Sequence, residues 1–416
     1  MKVLVINCGS SSLKYQLINP DSKEVFAKGL CERIGIEGSK FEYEVPAKDF
    51  EIKLESPMPT HQEALKLVVD HLVDQEHGVI ASVEEVDAIG HRVVHGGETF
   101  ASSVLITEEV IKAIEDNNDL APLHNPANLM GIHTCMKLMP GKPNVAVFDT
   151  AFHQSMPAKA FMYPLPYEDY TELKVRKYGF HGTSHLYVSQ TMREIMGNPE
   201  HSKIIVCHLG NGSSMSAVWD GKSVDTSMGL TPLQGLMMGT RCGDIDPAAV
   251  MFIKDKRGLS DKEIDNRLNK QSGFLGIFGK SSDCRDVEDG VAAGDERAIL
   301  ADEMFCYRIK SYIGAYAAAM GGVDAICFAG GIGENAAGIR EKVLEGLEFL
   351  GVKLDKEVNA VRKKGNVKLS TEDSKVLVYK IPTNEELVIA RDTFCNRFWK
   401  IIDTSLQGIK LYLTNF

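Results

Sequence analysis

Residues 3–18 read VLVINCGSSSLKYQLI. An apolar run breaks into Asn7, Cys8, Gly9 and three serines, Ser10 to Ser12. Lys14 follows, and apolar alternation then resumes to Ile18. Strand, small polar turn and second strand make a hairpin. Glycine and serine at the turn leave backbone N–H groups that no ladder uses. Such groups are fixed donors with nothing bulky in front of them, which suits a phosphate oxygen. Asn7, Ser10 and Ser12 are then phosphate contacts, and Lys14 adds a point charge. A plain hairpin stays open on this stretch alone, because Gly and Ser are common in turns.

The rest of the chain repeats the pattern. IIVCHLGNGSSMSAV, from Ile204, is again strand, polar residue (His208), glycine (Gly210), small polar residues and strand. VDAIGHRVVHGG, from Val86, matches VDAICFAGGIGE, from Val323, and NVAVFDT, from Asn144, sits beside KVLVYKIPTNE, from Lys375. Three echoes in the same order point to a duplicated domain. Strands are expected over 3–6, 15–18, 88–94, 145–148, 204–208, 214–219, 325–328 and 376–381. Helices are expected over 61–74, 108–116, 126–138, 184–196, 247–256, 295–320, 339–349 and 384–402. This is an α/β alternation, and residues 150–177, rich in Pro and Tyr, read as a loop. The expected domains are 1–150, completed by a C-terminal helix over 384–416, and 151–383. Two glycine turns, one per domain, suit a nucleoside triphosphate in a cleft between them.

Composition fits that picture. The 416 residues exceed one ordinary core. Hydrophobic residues at 44% and charged residues at 25% are those of a soluble globular protein. A net charge of -11 argues against general nucleic-acid affinity. Nine cysteines without a C-x-x-C pair read as free thiols in a reducing, cytoplasmic setting. No apolar run reaches the length of a membrane span.

Charged residues at strand ends suggest the chemistry. Arg92 lies inside an apolar run and needs an anionic partner. Arg241 lies in the glycine-containing loop MGTRCGDIDP. The two arginines could clamp a carboxylate or a phosphoryl group in transfer, though each also fits a structural ion pair. Asp149 ends one strand and Glu385 opens the last helix, places where carboxylates near phosphates meet Mg²⁺. Glu386 could serve equally as the acidic residue of that helix's first turn. His181 and His185 are spaced i, i+4, yet no H-E-x-x-H occurs, and Gly182 argues against a regular helix there, so zinc is disfavoured. His181 instead reads as a donor to phosphoryl oxygens and His185 as a helix-start residue. FAGGIGENA, from Phe328, offers a flat glycine surface to a nucleoside. No P-loop motif occurs.

The segments NCGSSSLKY, GHRVVHGG, VFDTAFHQSMP, YGFHGTSH, HLGNGSS, DTSMGLTPLQGLMMGTRCGDIDP and AGGIGENA together resemble the acetate kinase family. The resemblance runs from residue 1 to about 400, and only the tail GIKLYLTNF lacks a counterpart. It implies duplicated ribonuclease-H-like domains of the actin and sugar-kinase superfamily, with an interdomain active site. It implies Mg²⁺ (or Mn²⁺) on Asn7 and Glu385, and ATP or ADP on Lys14, His208, Leu209, Gly210, Asn211, Gly212, Asp283, Cys284, Arg285, Gly331, Ile332, Gly333, Glu334 and Asn335. Arg92 would take the substrate carboxylate and Val94, Leu123, Phe180 and Pro232 its methyl group. Asp149 matches the catalytic acid, and His181 and Arg241 match transition-state stabilisers. A homodimer through the second domain is implied as well.

The implied reaction is ATP plus acetate giving acetyl phosphate plus ADP. Acetate is already ionised at neutral pH, since such acids titrate near 4 to 5, roughly as Glu does. No general base is needed, so Asp149 is better placed as an orienting group. The difficulty is the approach of two anions, which cations must offset. A propionate or other short-chain acyl kinase is the near alternative. A filament or chaperone ATPase is the distant one, and the paired arginines speak against it.

Overall fold

The computed structural model describes residues 1–122 and 124–396. The chain divides into two compact units, Met1–Ala151 with Glu385–Phe416, and Phe152–Asn384.

The first unit holds β1 (Val3–Cys8), β2 (Ser12–Ile18), β3 (Val25–Glu32), β4 (Lys40–Val45), β5 (Phe50–Glu55), β6 (Ala88–Val93), β7 (Val104–Leu105) and β8 (Asn144–Phe148). Their order in the sheet is β5-β4-β3-β2-β1-β6-β8-β7. β1 pairs antiparallel with β2 and parallel with β6, and β6 pairs parallel with β8. The parallel strands are nearly continuous apolar runs because helices cover both their faces. β5, at the sheet edge, instead alternates half-buried and exposed residues. The strands β3 to β5 form an antiparallel meander that the sequence reading did not anticipate.

The second unit holds β9 (Lys203–Leu209), β10 (Ser213–Trp219), β11 (Lys222–Thr226), β12 (Ala325–Ala329), β13 (Val367–Lys368) and β14 (Leu377–Lys380). Their order is β11-β10-β9-β12-β14-β13, again with a hairpin beside parallel strands. The first two sequence echoes therefore occupy the same places in both sheets, and the third falls on the equivalent strands, β8 and β14, three residues out of register.

Helices follow local rules. Thr60 closes a capping box on His61–Leu72. Asp295 caps the Glu296–Met320 helix, which stops at Gly321 in the left-handed conformation. That helix buries Ile309, Ile313 and Tyr316 in the core of the second unit. The helix Glu385–Asn396 packs on β1, β6 and β8. A Cβ on Gly90 of β6 would run into Thr393 and Ile389 of this helix, so the close approach requires glycine there.

Three local expectations differ from the structure. β1 and β2 extend into the supposed turn, so Asn7, Ser12 and Lys14 are strand residues and only Gly9 to Ser11 turn. Residues 150–177 are not a plain loop, because they carry helical turns at Ala151–Ser155, Ala158–Phe161 and Tyr167–Leu173. Gly182 begins a regular helix, Gly182–Ile195, because His181 takes the left-handed conformation (φ 56°) just before it. The tail and the outer part of the expected last helix lie outside the described residues, as does Leu123.

Candidate active site

The hairpin of β1 and β2 aligns Asn7 with Lys14 across the ladder. Its turn is closed by the Gly9 N–H donating to the carbonyl of Ser12 at 2.8 Å, and Ser10 stands exposed at the tip. Next to β1, Arg92 occupies the fifth position of β6. Asp149 directly follows β8, held by its N–H donating to the Val93 carbonyl at 2.9 Å. Arg92 donates to both carboxylate oxygens of Asp149, Nε at 3.0 Å and Nη2 at 2.5 Å, and Nη1 reaches Asn7 Oδ1 at 3.5 Å. The Asp149 side chain is 1% exposed and that of Arg92 21%.

A bidentate pair this buried holds its geometry well. Burial disfavours the charged guanidinium, but Asp149, with Glu385 and Glu386 behind it, more than offsets this and raises the proton affinity of Arg92. Glu385, at the start of its helix, shares that environment. Burial raises its pKa above the usual carboxylate range, Arg92 pulls the other way, and Asp149 and Glu386 add to the rise. Lys14 pairs with Glu386 and is 59% exposed, so it belongs to the rim. Val94 is buried, its N–H held by Asn128 Oδ1 at 3.0 Å.

In the second unit the turn after β9 is tied by Ser213, whose hydroxyl donates to the Gly210 carbonyl at 2.8 Å. A Cβ on Gly212 would lie 3.6 Å from both Arg241 Nη1 and His181 Nε2, so these two side chains converge on that glycine. Arg241 donates to the Pro232 carbonyl at 3.3 Å, and burial alone lowers its pKa. Its loop is pinned by Phe274 N–H to Met238 O at 2.9 Å and Leu275 N–H to Gly239 O at 3.0 Å. His181 and His208 rings lie 4.5 Å apart. His181 Nδ1 meets Ser214 Oγ at 2.9 Å, and His208 Nδ1 meets Ser184 Oγ at 2.7 Å. Phe180 is buried beside His181, and Pro232 is half-buried.

Next to this turn lies a cavity of about 600 Å³. Gly210 and Asn211, then Asp283, Cys284 and Arg285, then Gly331, Ile332 and Asn335 line it, joining three segments far apart in sequence. Arg285 hydrogen bonding pulls the Asp283 carboxyl down to about 2. Ser282, Glu288, Ala336 and Arg362 also line the cavity and were not singled out from sequence. Glu288 and Arg362 carried no motif, and only the fold brings them to the wall. Gly333 and Glu334 do not line it. Gly333 packs toward β12 and gives its carbonyl to Arg340 Nη1 at 2.9 Å. Glu334 is half-buried, and burial raises its pKa. His208, Leu209 and Gly212 flank the cavity through the same turn without forming its wall.

The residues of the first unit suit a hard divalent ion. Asn7 and Glu385 offer an amide and a carboxylate oxygen in a buried setting, and burial first, then the neighbouring Asp149 and Glu386, raise the pKa of Glu385 there. Among the described residues no cluster of three or more His, Cys, Asp or Glu could hold a metal. That donor set fits Mg²⁺, which takes one or two carboxylates and completes its shell with water and phosphate oxygens. Among the described residues no helix is long and apolar enough to cross a membrane, and all nine cysteines are free.

A sequence model described as the Acetokinase family matches residues 2–391. An acetate kinase of Fusobacterium nucleatum is 80% identical over 394 residues, covering 95% of this chain and 99% of that protein. The crystal structure of Porphyromonas gingivalis acetate kinase superposes with a TM-score of 0.91 at 49% identity, over 95% of this chain and 99% of that one. A propionate kinase from Francisella tularensis superposes with a TM-score of 0.88 at 44% identity, again over 95% and 99%.

Proposed function

Since the chain belongs to the acetokinase family, it is an ATP-using kinase whose acceptor is acetate, and we propose that transfer is direct and in line, with Mg²⁺ as the divalent ion. The observation that carries this reading is the convergence of His181 and Arg241 on Gly212, beside a cavity lined by three glycine- or Asp-capped segments. Cations placed where charge builds up are what a phosphoryl transfer needs, because little covalent work remains for the protein.

Each residue then has a task. Arg92, oriented by Asp149, takes the acetate carboxylate, so Asp149 positions a cation and abstracts no proton. Val94, Phe180 and Pro232, with Leu123 outside the described residues, are the side chains assigned to the methyl group. Arg241 neutralises charge on the phosphoryl oxygens, and His181 donates a hydrogen bond to them. Asn7 and Glu385 would hold Mg²⁺, which supplies charge neutralisation at the phosphates. The cavity residues seat the nucleoside, and the N–H groups of Asn211 and Gly212 seat its phosphates, the Gly210 N–H being held by Ser213 Oγ at 3.2 Å.

The experiment is hydroxylamine trapping of acyl phosphate from ATP and Mg²⁺ with acetate, propionate or butyrate. Acetate-dependent ATP consumption with trapped acetyl phosphate is expected, and equal ATP loss without acid would overturn the reading. The likeness to a propionate kinase makes the kcat/KM ratio informative, since one methylene is worth roughly 1–3 kcal/mol in an apolar pocket. Inversion at a chiral γ-phosphoryl group is expected, and retention would defeat the single displacement. A cytoplasmic homodimer completes the proposal. Exposed Met251, Phe252 and Tyr307 on the second unit suit such an interface, and sedimentation tests it.

A further inference from the structure

Behind His181 the second unit buries a row of side chains that the transfer itself does not use. Ser214 Oγ lies 2.9 Å from His181 Nδ1 and 2.7 Å from His185 Nε2. His185 Nδ1 in turn lies 2.9 Å from Ser216 Oγ. Two periodicities dovetail to build this. Ser214 and Ser216 share one face of β10, being two residues apart in a strand. His181 and His185 are four apart, at the start of the Gly182–Ile195 helix.

We infer that Ser216, His185 and Ser214 form a relay that holds His181 in the tautomer carrying its proton on Nε2, which makes these three residues positioning groups for phosphoryl transfer. The inference rests on the reading that His181 donates to the phosphoryl group.

Hydroxyl arithmetic carries the argument. A serine has one proton to give. Ser214 touches two imidazole nitrogens, so it donates to one at most, while its two lone pairs let it accept from either or both. The relay therefore has three settings. In the first, Ser216 donates to His185 Nδ1, His185 Nε2–H donates to Ser214, and Ser214 donates to His181 Nδ1. The His181 proton then sits on Nε2, the atom on the edge facing Gly212. In the second setting every donor reverses, and in the third Ser214 accepts from both rings; in each of these His181 carries its proton on Nδ1. The distances suit all three. Phosphoryl oxygens only accept hydrogen bonds, so a ligand beside Gly212 selects the first.

The neighbours keep the relay one proton per ring. His185 is fully buried, and burial, then His153, His208 and His181, push its pKa well below the ordinary value, so it stays neutral. His153, edge-on at 5.4 Å, donates from Nε2 to the Phe180 carbonyl at 3.1 Å, which leaves its Nδ1 to accept from Ser223 at 2.8 Å. With the His181 proton on Nδ1, Ser214 no longer has to donate there and His185 is released to either tautomer, whereas the Nε2–H form of His181 requires His185 to donate from Nε2 and Ser216 to donate to its Nδ1. This coupling is why the remote Ser216 matters.

The test uses the full chain with ¹⁵N-labelled histidine, loaded with ATP and Mg²⁺ in the absence of acetate so that the selecting phosphoryl oxygens are present. Two-bond ¹H–¹⁵N correlations report which nitrogen of each ring is protonated, and His181→Gln assigns the His181 signals. The wild type should show Nε2–H at both His181 and His185. Ser214→Ala breaks the bridge and Ser216→Ala removes the donor two links away. Either should turn His181 into a tautomer mixture. kcat should fall about tenfold to a hundredfold, less than the 10²–10³ lost with an oxyanion donor itself. KM for ATP and acetate should hold within about twofold, because binding contacts are untouched. An Nδ1–H tautomer in the wild type overturns the inference, as does an unchanged His181 in both variants. Nε2–H at His181 in a protein that ignores acetate would overturn the functional reading alone.

Discussion

In the first unit β2, β1, β6 and β8 lie side by side, as β10, β9, β12 and β14 do in the second. The ladders let equivalent positions be compared. Asn7 of β1 stands where His208 stands in β9, and their hairpin partners are Lys14 and Ser214. Counting along the parallel ladders, Arg92 corresponds to Ala329 and Asp149 to Thr383. The first unit thus fills its sheet end with a buried ion pair. The second fills it with imidazoles, hydroxyls and glycine, and Thr383 donates to Ser184 rather than to a charge. One scaffold carries two electrostatic solutions. Fixed charges need mutual compensation and so tie function to stability. A hydrogen-bonded lining can be altered with less damage to the fold.

The sharpest way to break this comparison is to remove one charge from each unit. Arg92→Ala leaves Asp149 buried without its bidentate partner, and a broken buried pair costs about 3–5 kcal/mol. Denaturant unfolding should show that loss together with a collapse of acetate turnover, and a variant as stable as the parent would undo the contrast. Arg241→Ala comes next. Its guanidinium leans on a carbonyl and has no carboxylate partner among its hydrogen bonds and ion pairs at the described residues, so the midpoint of thermal unfolding should barely move. Turnover should nonetheless drop at least about a hundredfold, or ~2.7 kcal/mol of transition-state stabilisation. Near-normal kcat would take Arg241 out of the chemistry.

A smaller effect concerns pH. His91 of the first unit is buried, and burial pulls its pKa down to about 4 although Asn144 Oδ1 accepts from it. His185 is lowered likewise. The unfolded chain takes up protons below about 6.5 that the folded one refuses, so stability is full above that value and declines as pH falls toward 4. Each such histidine contributes up to about 1.4 kcal/mol per pH unit. His91→Gln should remove one proton from the slope of unfolding free energy between those pH values, and an unchanged slope would show that His91 is charged when folded. The smallest effect is at the rim. Lys14→Ala breaks an exposed pair with Glu386, worth about 0–1 kcal/mol. Stability should stay put while KM for ATP rises severalfold, and unchanged KM would remove Lys14 from the nucleotide's surroundings.

Much of this was legible in the chain itself. The two glycine–serine hairpins and the order of the three echoes pointed to duplication, and Arg92 inside an apolar run demanded an acid. The meander β3 to β5 was missed because segments such as KFEYEV and FEIKLE carry charges at every second place. Their alternation was present but weak beside the continuous apolar strands. Gly182 was misjudged because glycine signals a break, whereas here the turn is made one residue earlier by His181. Glu288 and Arg362 had no motif to reveal them.

By itself the sequence determined the local matters: where strands turn, where helices are capped, and which family the motifs belong to. Those depend on neighbours a few residues away, through sterics and backbone hydrogen bonding. Tertiary structure alone decided which acid meets Arg92, which segments share the cavity wall, and that Ser214 and Ser216 stand against His181 and His185. Such choices depend on burial and on groups brought together from distant parts of the chain, and desolvation acts only once the fold has closed around them.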